Sequence, residues 1–145
     1  MERVGIYSTT SDYPSLEFTQ PDCRDGFACL ATLTENGEEY SVSLDMVDPY
    51  ASDLLGFFEE LSVEADGWDG EKRWVSESNE MGIVATNHRE GIASFEVVMR
   101  SVDQEERRRL VLRVPADQLP QTAEQMRSLM RRSHGQRFRP QVAES

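Results

Sequence analysis

An Asn-Gly pair between two alternating segments is the feature that most constrains how this chain folds. Asn36-Gly37 tolerates the positive φ angles that both central positions of a tight hairpin turn require. On either side, apolar and polar residues alternate, as in a strand with one buried and one solvated face. The segments therefore predict an antiparallel β-hairpin. Its apolar positions are Phe27, Cys29, Ala31 and Leu33 before the turn, and Tyr40, Val42, Leu44 and Met46 after it.

A strand before this hairpin and a helix after it are also predicted. Leu16 and Phe18 alternate with polar residues and indicate a short first strand. Asp48-Pro49 favours the start of a helix, because Asp caps free N–H groups and Pro suits the first helical position. The pair Asp66-Gly67 is expected to end this helix. Its apolar stripe consists of Leu54, Leu55, Phe58 and Leu61.

Four more strands and a second helix complete the predicted order β-β-β-α-β-β-β-β-α. A turn is expected at residues 67–70, and a polar loop from Asn87 to Gly91. This order predicts an α+β fold, with a single antiparallel sheet of about six to seven strands and two helices packed on one face. Residues 1–135 are assigned to one domain and 136–145 to a flexible C-terminal tail. The apolar positions are Trp74, Met81, Ile83, Ala85, Ala93, Phe95, Val97, Met99, Leu110, Leu112 and Val114 in the strands, and Leu119, Ala123, Met126 and Met130 in the last helix.

The charge of the chain is strongly negative and unevenly distributed. The net charge is −12; residues 1–99 hold 21 acidic and 5 basic residues, whereas residues 100–145 hold 6 acidic and 10 basic ones. An acidic body repels phosphates, so we expect no nucleic-acid partner. On charge alone, acidity that keeps the protein soluble is the simpler interpretation, and a basic protein partner is the second. No apolar run is long enough for a membrane span, and the first residues lack the apolar core of a secretory signal. Cytoplasmic localisation without membrane binding is therefore expected.

The residues that could carry metal or nucleophilic chemistry do not form a recognisable motif. The C-x5-C spacing of Cys23 and Cys29 differs from a zinc knuckle, and His88 and His134 fall in separate elements. Cys29 lies in an apolar alternation and is interpreted as a small core residue. The sequence contains neither a nucleophile elbow nor a glycine-rich phosphate loop. We therefore expect no metal, no cofactor and no catalytic residue.

An acidic run flanked by tryptophans is the candidate partner-binding site. Tryptophan is frequent at interface hot spots, and the run extends from the end of the first helix through the following turn. Solvation of an ordinary charged face is the simpler interpretation of such a run. Carboxylates beside aromatic rings are also typical of sugar-handling sites, which leaves a small enzyme as a third interpretation. The residues are Glu59, Glu60, Glu64, Asp66, Trp68, Asp69, Glu71 and Trp74.

The arginines of the last predicted strand are expected to form ion pairs within the protein. Alternation places Arg107, Arg109 and Arg113 on the face of the last strand opposite Leu110 and Leu112. We expect these arginines to pair with the surplus acidic residues.

A longer pattern resembles a known family. It comprises Leu54-x-x-Phe57-Phe58-x-x-Leu61, then Gly67-Trp68-x-Gly70-x-x-x-Trp74-x-Ser76, and later Ala85-Thr86, Gly91 and Phe95-x-Val97. With these motifs the chain resembles the actinobacterial domain-of-unknown-function family 6228 over residues 15–132. That resemblance implies no reaction and no catalytic residues. In size, charge and α+β style, the chain also resembles bacterial immunity proteins.

These observations lead to three functional hypotheses. The first is a non-catalytic protein-binding domain, in its sharpest form an immunity-type inhibitor that covers a basic toxin with an acidic surface. The second is an interaction or scaffold module that forms a homodimer through a sheet face. The third is a small enzyme that uses carboxylates near Trp68 and Trp74.

Overall fold

A computed structural model describes residues 3–8, 14–19, 28–45, 50–76, 79–100 and 107–130. Eight strands and two helices lie within these ranges. The second helix, α2, is described from residue 119 to residue 130 and follows a short 3-10 turn at Ala116–Gln118. The other elements are β1 (Arg3–Tyr7), β2 (Pro14–Thr19), β3 (Ala28–Glu35), β4 (Glu38–Asp45), α1 (Tyr50–Val63), β5 (Trp68–Val75), β6 (Met81–Asn87), β7 (Ile92–Arg100) and β8 (Arg107–Pro115).

Strands β1 to β4 form the first sheet, an antiparallel meander in chain order. The predicted hairpin is its C-terminal half, with Leu33 opposite Tyr40 and Cys29 opposite Leu44. Asn36 and Gly37 have φ angles of 54° and 83°, which are the positive values that the turn was expected to need. The alternation therefore fixed both the register and the buried face of β3 and β4.

Strands β5 to β8 form the second sheet, also an antiparallel meander in chain order. In β7, buried and half-buried residues alternate along the whole strand. Phe95 of β7 lies opposite Ala85 of β6 and Leu112 of β8, and all three side chains are buried. The inner face of the sheet is thus apolar and the opposite face is directed outward.

The predicted single sheet is wrong, although the α+β class is confirmed. The strands divide into two four-stranded sheets, and β4 and β5 do not pair: α1 separates them in the chain and inserts Phe58 between the two sheets. Contacts of β1 with β8 and of β4 with β7 join the two sheets instead. Strand β1 was missed, because Val4 and Ile6 give too short an alternation to predict a strand.

Helix α1 packs between the two sheets rather than on one face of a single sheet. The ring of Phe58 lies 6.0 Å from the ring of Phe18 in the first sheet and 6.4 Å from that of Phe95 in the second. Leu54, Phe58 and Leu61 of the predicted stripe are buried, Leu55 is half-buried, and Phe57 is buried as well. The apolar face predicted for α2 is confirmed, since Leu119, Ala123, Met126 and Met130 are all buried.

The start of β5 differs from the prediction. Residues 67–70 were expected to form a turn, but β5 begins at Trp68, which lies opposite Asn87. The register of β5 shifts between Trp68 and Lys72, and Gly70 has a φ of 74° within this irregular stretch. A bulge at the start of a strand therefore accounts for the turn-like glycines. Asn87, expected to begin a loop, is the last residue of β6.

Several sequence expectations lie outside the described residues. They concern the Asp48-Pro49 helix start, Phe27, Met46, Cys23, His134 and the tail at residues 136–145.

Gly56 offers a direct test of the exposed side of α1. It lies inside the helix, is exposed, and a Cβ added there meets no atom within 4 Å. Gly56→Ala is expected to raise the free energy of unfolding by about 0.5–1 kcal/mol, because alanine loses less backbone entropy on folding. Gly37→Ala is the matched control: its site is equally open, but the φ of +83° strains an alanine, so stability should fall. Chemical denaturation measures both; equal effects of the two substitutions would contradict this description of α1.

The thiol of Cys29 should be chemically inert in the native protein. The side chain is buried in the first sheet, and desolvation raises its pKa to about 12 despite an opposing hydrogen bond from the Thr19 backbone. In a Cys23→Ser variant, a thiol-specific reagent at pH 8 should therefore label Cys29 only after denaturant is added. Rapid labelling of the native variant would show that β3 does not bury this side chain.

Candidate functional site

The acidic residues of α1 divide between two neighbouring elements. Glu59 points toward α2, where Arg127 donates hydrogen bonds to Glu59 Oε2 from Nη2 at 2.8 Å and from Nε at 3.2 Å. Arg127 also pairs with Glu124 on its own helix at 2.8 Å. Glu59 therefore connects α1 to α2, and the Glu59 hydrogen bond is the main reason that the pKa of Arg127 is raised.

Glu60 and Glu64 turn to the other side of α1 and share one lysine. The Nζ atom of Lys72, on β5, lies 2.7 Å from Glu64 Oε2 and 3.5 Å from Glu60 Oε2. The hydrogen bond to Glu64, more than any other cause, raises the pKa of Lys72. The same ammonium lies 5.7 Å from the centroid of the Trp68 ring. The single lysine of the chain thus attaches the last turns of α1 to the second sheet.

Both tryptophans of the predicted site are core residues. Trp68 is 3% exposed and Trp74 is 8% exposed. The indole Nε1 of Trp68 donates a hydrogen bond to the carbonyl oxygen of Ala85 at 3.3 Å, which satisfies its polar atom inside the core. Neither ring offers an exposed face to a partner, so the accessible part of the predicted site is its carboxylates.

Hydrogen bonds of Asn87 and the close packing of Gly67 against Arg89 connect the end of α1 to the turn between β6 and β7. Asn87 donates from Nδ2 to the Ala65 carbonyl at 3.0 Å, and its Oδ1 accepts the Arg89 backbone N–H at 3.1 Å. A Cβ at Gly67 would lie 2.1 Å from Cγ of Arg89, so only glycine fits there. Asn87 was not predicted as a site residue, because an asparagine beside a loop is an ordinary residue with no distinguishing signal.

The remaining three acids of the run are exposed and diverge. Asp69 pairs with Arg89 at 2.9 Å, and Glu71 pairs with Arg73 on the outward face of the second sheet. Asp66 lies in the turn between α1 and β5. The structure therefore does not gather the eight predicted residues on one surface: Glu59 faces α2, Glu71 faces away with Arg73, and the tryptophans are buried.

What remains together is an outward stripe of α1 and the turn after it, here called the α1 acidic surface. Asp53, Glu60 and Val63 are exposed along one side of the helix, and Glu64 follows Glu60 by one turn. Val63 is 85% exposed. The surface comprises Asp53, Glu60, Val63, Glu64 and Asp66. Asp53 and Val63 were not among the predicted site residues, although both follow from the opposite side of the predicted apolar stripe.

Within the described ranges, no three His, Cys, Asp or Glu side chains are grouped so that they could hold a metal ion. Over the same ranges, no helix combines the length and apolar character needed to cross a membrane.

Comparison with known families places the chain. The profile of a family of unknown function, DUF6228, matches residues 7–133. The chain belongs to this family. Comparisons with the curated proteins and with the solved structures give no match.

In this DUF6228 protein, the residues that first suggested the family serve the fold. Phe57 and Phe58 pack with their rings 5.5 Å apart, and Phe58 contacts both sheets. Gly67 permits the close approach of Arg89, and Trp68 and Trp74 fill the core. The motif residues therefore pack α1 against the second sheet. The α1 acidic surface lies on the helix that they hold in place.

The ion pairs of Lys72 predict a specific pH dependence. A raised pKa in the folded state means that the contribution to stability is complete below the unfolded value of about 10.4 and is lost as the pH rises through the folded value. Lys72→Met keeps an apolar stem near Trp68 but removes the charge. It should lower the free energy of unfolding by about 1 kcal/mol or less at pH 7, after allowance for solvent screening.

The difference between the wild type and Lys72→Met should shrink above about pH 10.4, where the unfolded chain loses the Lys72 proton, and should be lost once the pH passes the raised pKa of the folded lysine. Denaturant titrations at a series of pH values measure this difference in the free energy of unfolding. Lys72→Arg is the control, since its charge persists at high pH. A difference between the wild type and Lys72→Met that does not depend on pH would mean that Lys72 acts through packing alone.

Proposed function

We propose that this DUF6228 protein is a non-catalytic protein-binding domain that binds a basic partner through the α1 acidic surface. The observation that carries the proposal is the exposure of Val63, at 85%, with Glu60 one turn before it and Glu64 beside it. An apolar centre surrounded by charged groups is the usual anatomy of a protein interface. Val63 would provide the desolvated contact and the carboxylates would select a basic partner.

The ion pairs beneath this surface favour binding by limiting its conformational cost. Glu64 is held at 2.7 Å from Lys72, and α1 is attached to α2 through Glu59 and Arg127. A surface whose side chains are already ordered loses less entropy when a partner docks. Asp53 and Asp66 are exposed, so their carboxylates are available to pair with cationic groups of the partner.

The shape of the surface supports binding rather than catalysis. The surface is the outward stripe of a helix. Its residues line neither the cavity between the β3–β4 hairpin and β8, at Tyr40 and Leu110, nor the cavity at Gly82 on the outward face of the second sheet. A catalytic site would instead be expected in a concave pocket with convergent polar groups. The carboxylates of Asp69 and Glu71 each pair with an arginine and lie near buried tryptophans that a sugar ring could not stack on.

An immunity-type inhibitor is the most specific form of this proposal. The net charge of −12 would accelerate the approach of a basic toxin such as a nuclease, and close pairing at α1 would then set the lifetime of the complex. This form places the protein in the cytoplasm beside its target.

A comparison of baits tests the proposed surface. Tagged wild type, a Glu60→Gln/Glu64→Gln/Asp66→Asn variant and a Glu35→Gln/Glu38→Gln/Glu39→Gln variant are incubated with lysate of the native organism at moderate salt. The last three glutamates are exposed at the β3–β4 turn, so the control removes the same charge elsewhere. A basic protein should be retained by the wild type and the control, with affinity for the α1 variant lower by about tenfold or more.

The retained protein is then purified, and its dissociation constants for the three forms are measured by biolayer interferometry. Equal affinities for all three forms would place the interface away from α1. Retention of no basic protein by the wild type would contradict the proposed function itself. Val63→Asp, which changes the apolar centre without removing a carboxylate, should also weaken the complex.

A further inference from the structure

The outward face of the second sheet is basic, in contrast to the rest of the chain. Its exposed and half-buried positions alternate with the core positions of β5 to β8. Five arginines and two glutamates, Glu71 and Glu96, are the charged residues described on this face. We call it the basic face; its arginines are Arg73, Arg100, Arg107, Arg109 and Arg113.

Valines lie between these arginines. Val75 is 57% exposed on one edge strand and Val111 is 51% exposed on the other, with half-buried Val84 and Val98 on the strands between. The register alternates the two types across the sheet: Val98 lies opposite Arg109, and Arg73 lies opposite Val84. Several exposed apolar residues on one face, rimmed by charged residues, are typical of an interaction surface.

A depression of about 140 Å³ opens on the basic face, toward the end of the sheet where β5 and β7 finish. It forms at Gly82, which has no side chain and lies opposite Val75 on one neighbouring strand and Val98 on the other. Arg73, Arg100 and Glu96 also line it. The size and the valine walls suit one apolar side chain of a partner, with cations beside it.

Both carboxylates of the basic face already pair with its arginines: Glu71 with Arg73, and Glu96 with Arg109. Glu96 accepts a hydrogen bond from Arg109 Nη2 at 2.7 Å, which confirms the pairing expected for that arginine. The hydrogen bond of Arg109 lowers the pKa of Glu96 most strongly, and the charges of Arg109, Arg107 and Arg73 lower it further. Several arginines therefore act together at one point, where they stabilise negative charge.

An acidic polypeptide fits this face better than the other macromolecules. Guanidinium groups pair with carboxylates in a directional way, and valines accommodate apolar side chains. The described outward positions of β5 to β8 hold no aromatic residue on which a nucleic-acid base could stack. A second copy docked through the same face would bring its five arginines against these five, which costs free energy.

We propose that the basic face is a docking surface for an acidic polypeptide. One apolar side chain of that polypeptide occupies the depression over Gly82, and neighbouring carboxylates pair with Arg73 and Arg100. This surface is separate from the α1 acidic surface and does not depend on the function proposed for it.

The test uses a fluorescein-labelled peptide of alternating glutamate and valine residues, with fluorescence anisotropy as the readout. The full-length protein is compared with Arg73→Glu/Arg100→Glu and with the matched control Arg3→Glu/Arg89→Glu. Each double variant removes two arginines and adds two acids, and the control arginines pair with Glu17 and Asp69 away from this face. We expect the affinity of the basic-face variant to fall by about tenfold or more, and that of the control to change little.

A second variant tests the depression without any change of charge. A Cβ at Gly82 would lie 3.7 Å from the Trp74 carbonyl oxygen and 3.8 Å from Val75 Cγ2, which are ordinary contacts. A Cβ at this position is therefore accommodated, β-branched residues suit a strand, and thermal unfolding checks that Gly82→Val folds. It should weaken peptide binding while leaving the arginines in place. The Glu60→Gln/Glu64→Gln/Asp66→Asn protein should bind the peptide as the wild type does, which separates this proposal from the function proposed above.

Three results would overturn the proposal. The first is no binding of the glutamate–valine peptide, or equal binding by the wild type and the Arg73→Glu/Arg100→Glu variant. The second is equal affinity for a neutral glutamine–valine peptide, because the arginines would then have no role. The third is an affinity for single-stranded oligouridylate higher than that for the glutamate–valine peptide, which would assign the face to nucleic acid. A dimer mass in light scattering that the Arg73→Glu/Arg100→Glu variant loses would likewise assign the face to a second copy of the chain.

Discussion

The position of Phe58 between the two sheets determines most of what this molecule presents to solvent. Its ring contacts Phe18 on one side and Phe95 on the other, so both sheets direct their inner faces toward α1. Successive helical residues are about 100° apart, which places Glu60 about 200° from Phe58 and therefore outward. Burial of one aromatic residue thus fixes the orientation of the helix, the exposure of Glu60 and Val63, and the outward direction of the second sheet.

Patterns that depend on neighbours in the chain were predictable, whereas pairings between distant segments were not. The hairpin at Asn36-Gly37, the strands β6 to β8 and the apolar face of α2 follow from alternation, helical spacing and turn chemistry. Local patterns of this kind do not indicate which strands pair with each other. The division into two sheets depends on β4 and β5 remaining unpaired across α1, and sequence periodicity contains no information on that choice.

The same limit applies to the candidate site. The sequence shows six acids within 13 positions, but it does not show that Lys72, Arg89 and Arg127 lie beside Glu64, Asp69 and Glu59. Those cations come from other elements and partly neutralise the run. Trp68 and Trp74 were expected at an interface because they flank charges, yet each lies on the inner face of a strand. Composition therefore identified an acidic region, and tertiary structure decided which carboxylates and which valine are accessible.

The net charge of the chain is consequently a poor guide to the electrostatic field that a partner experiences at either surface. Helix α1 packs on the inner face of the second sheet, so its outward stripe and the basic face lie on opposite sides of that layer. Packed layers are separated by about 10 Å, and side chains directed away from each other increase the distance between their charges. The screening length at physiological ionic strength is about 8 Å, so each surface acts with its own local charge. Only at low ionic strength does a partner experience the total of −12, and there the fields of the two surfaces partly cancel.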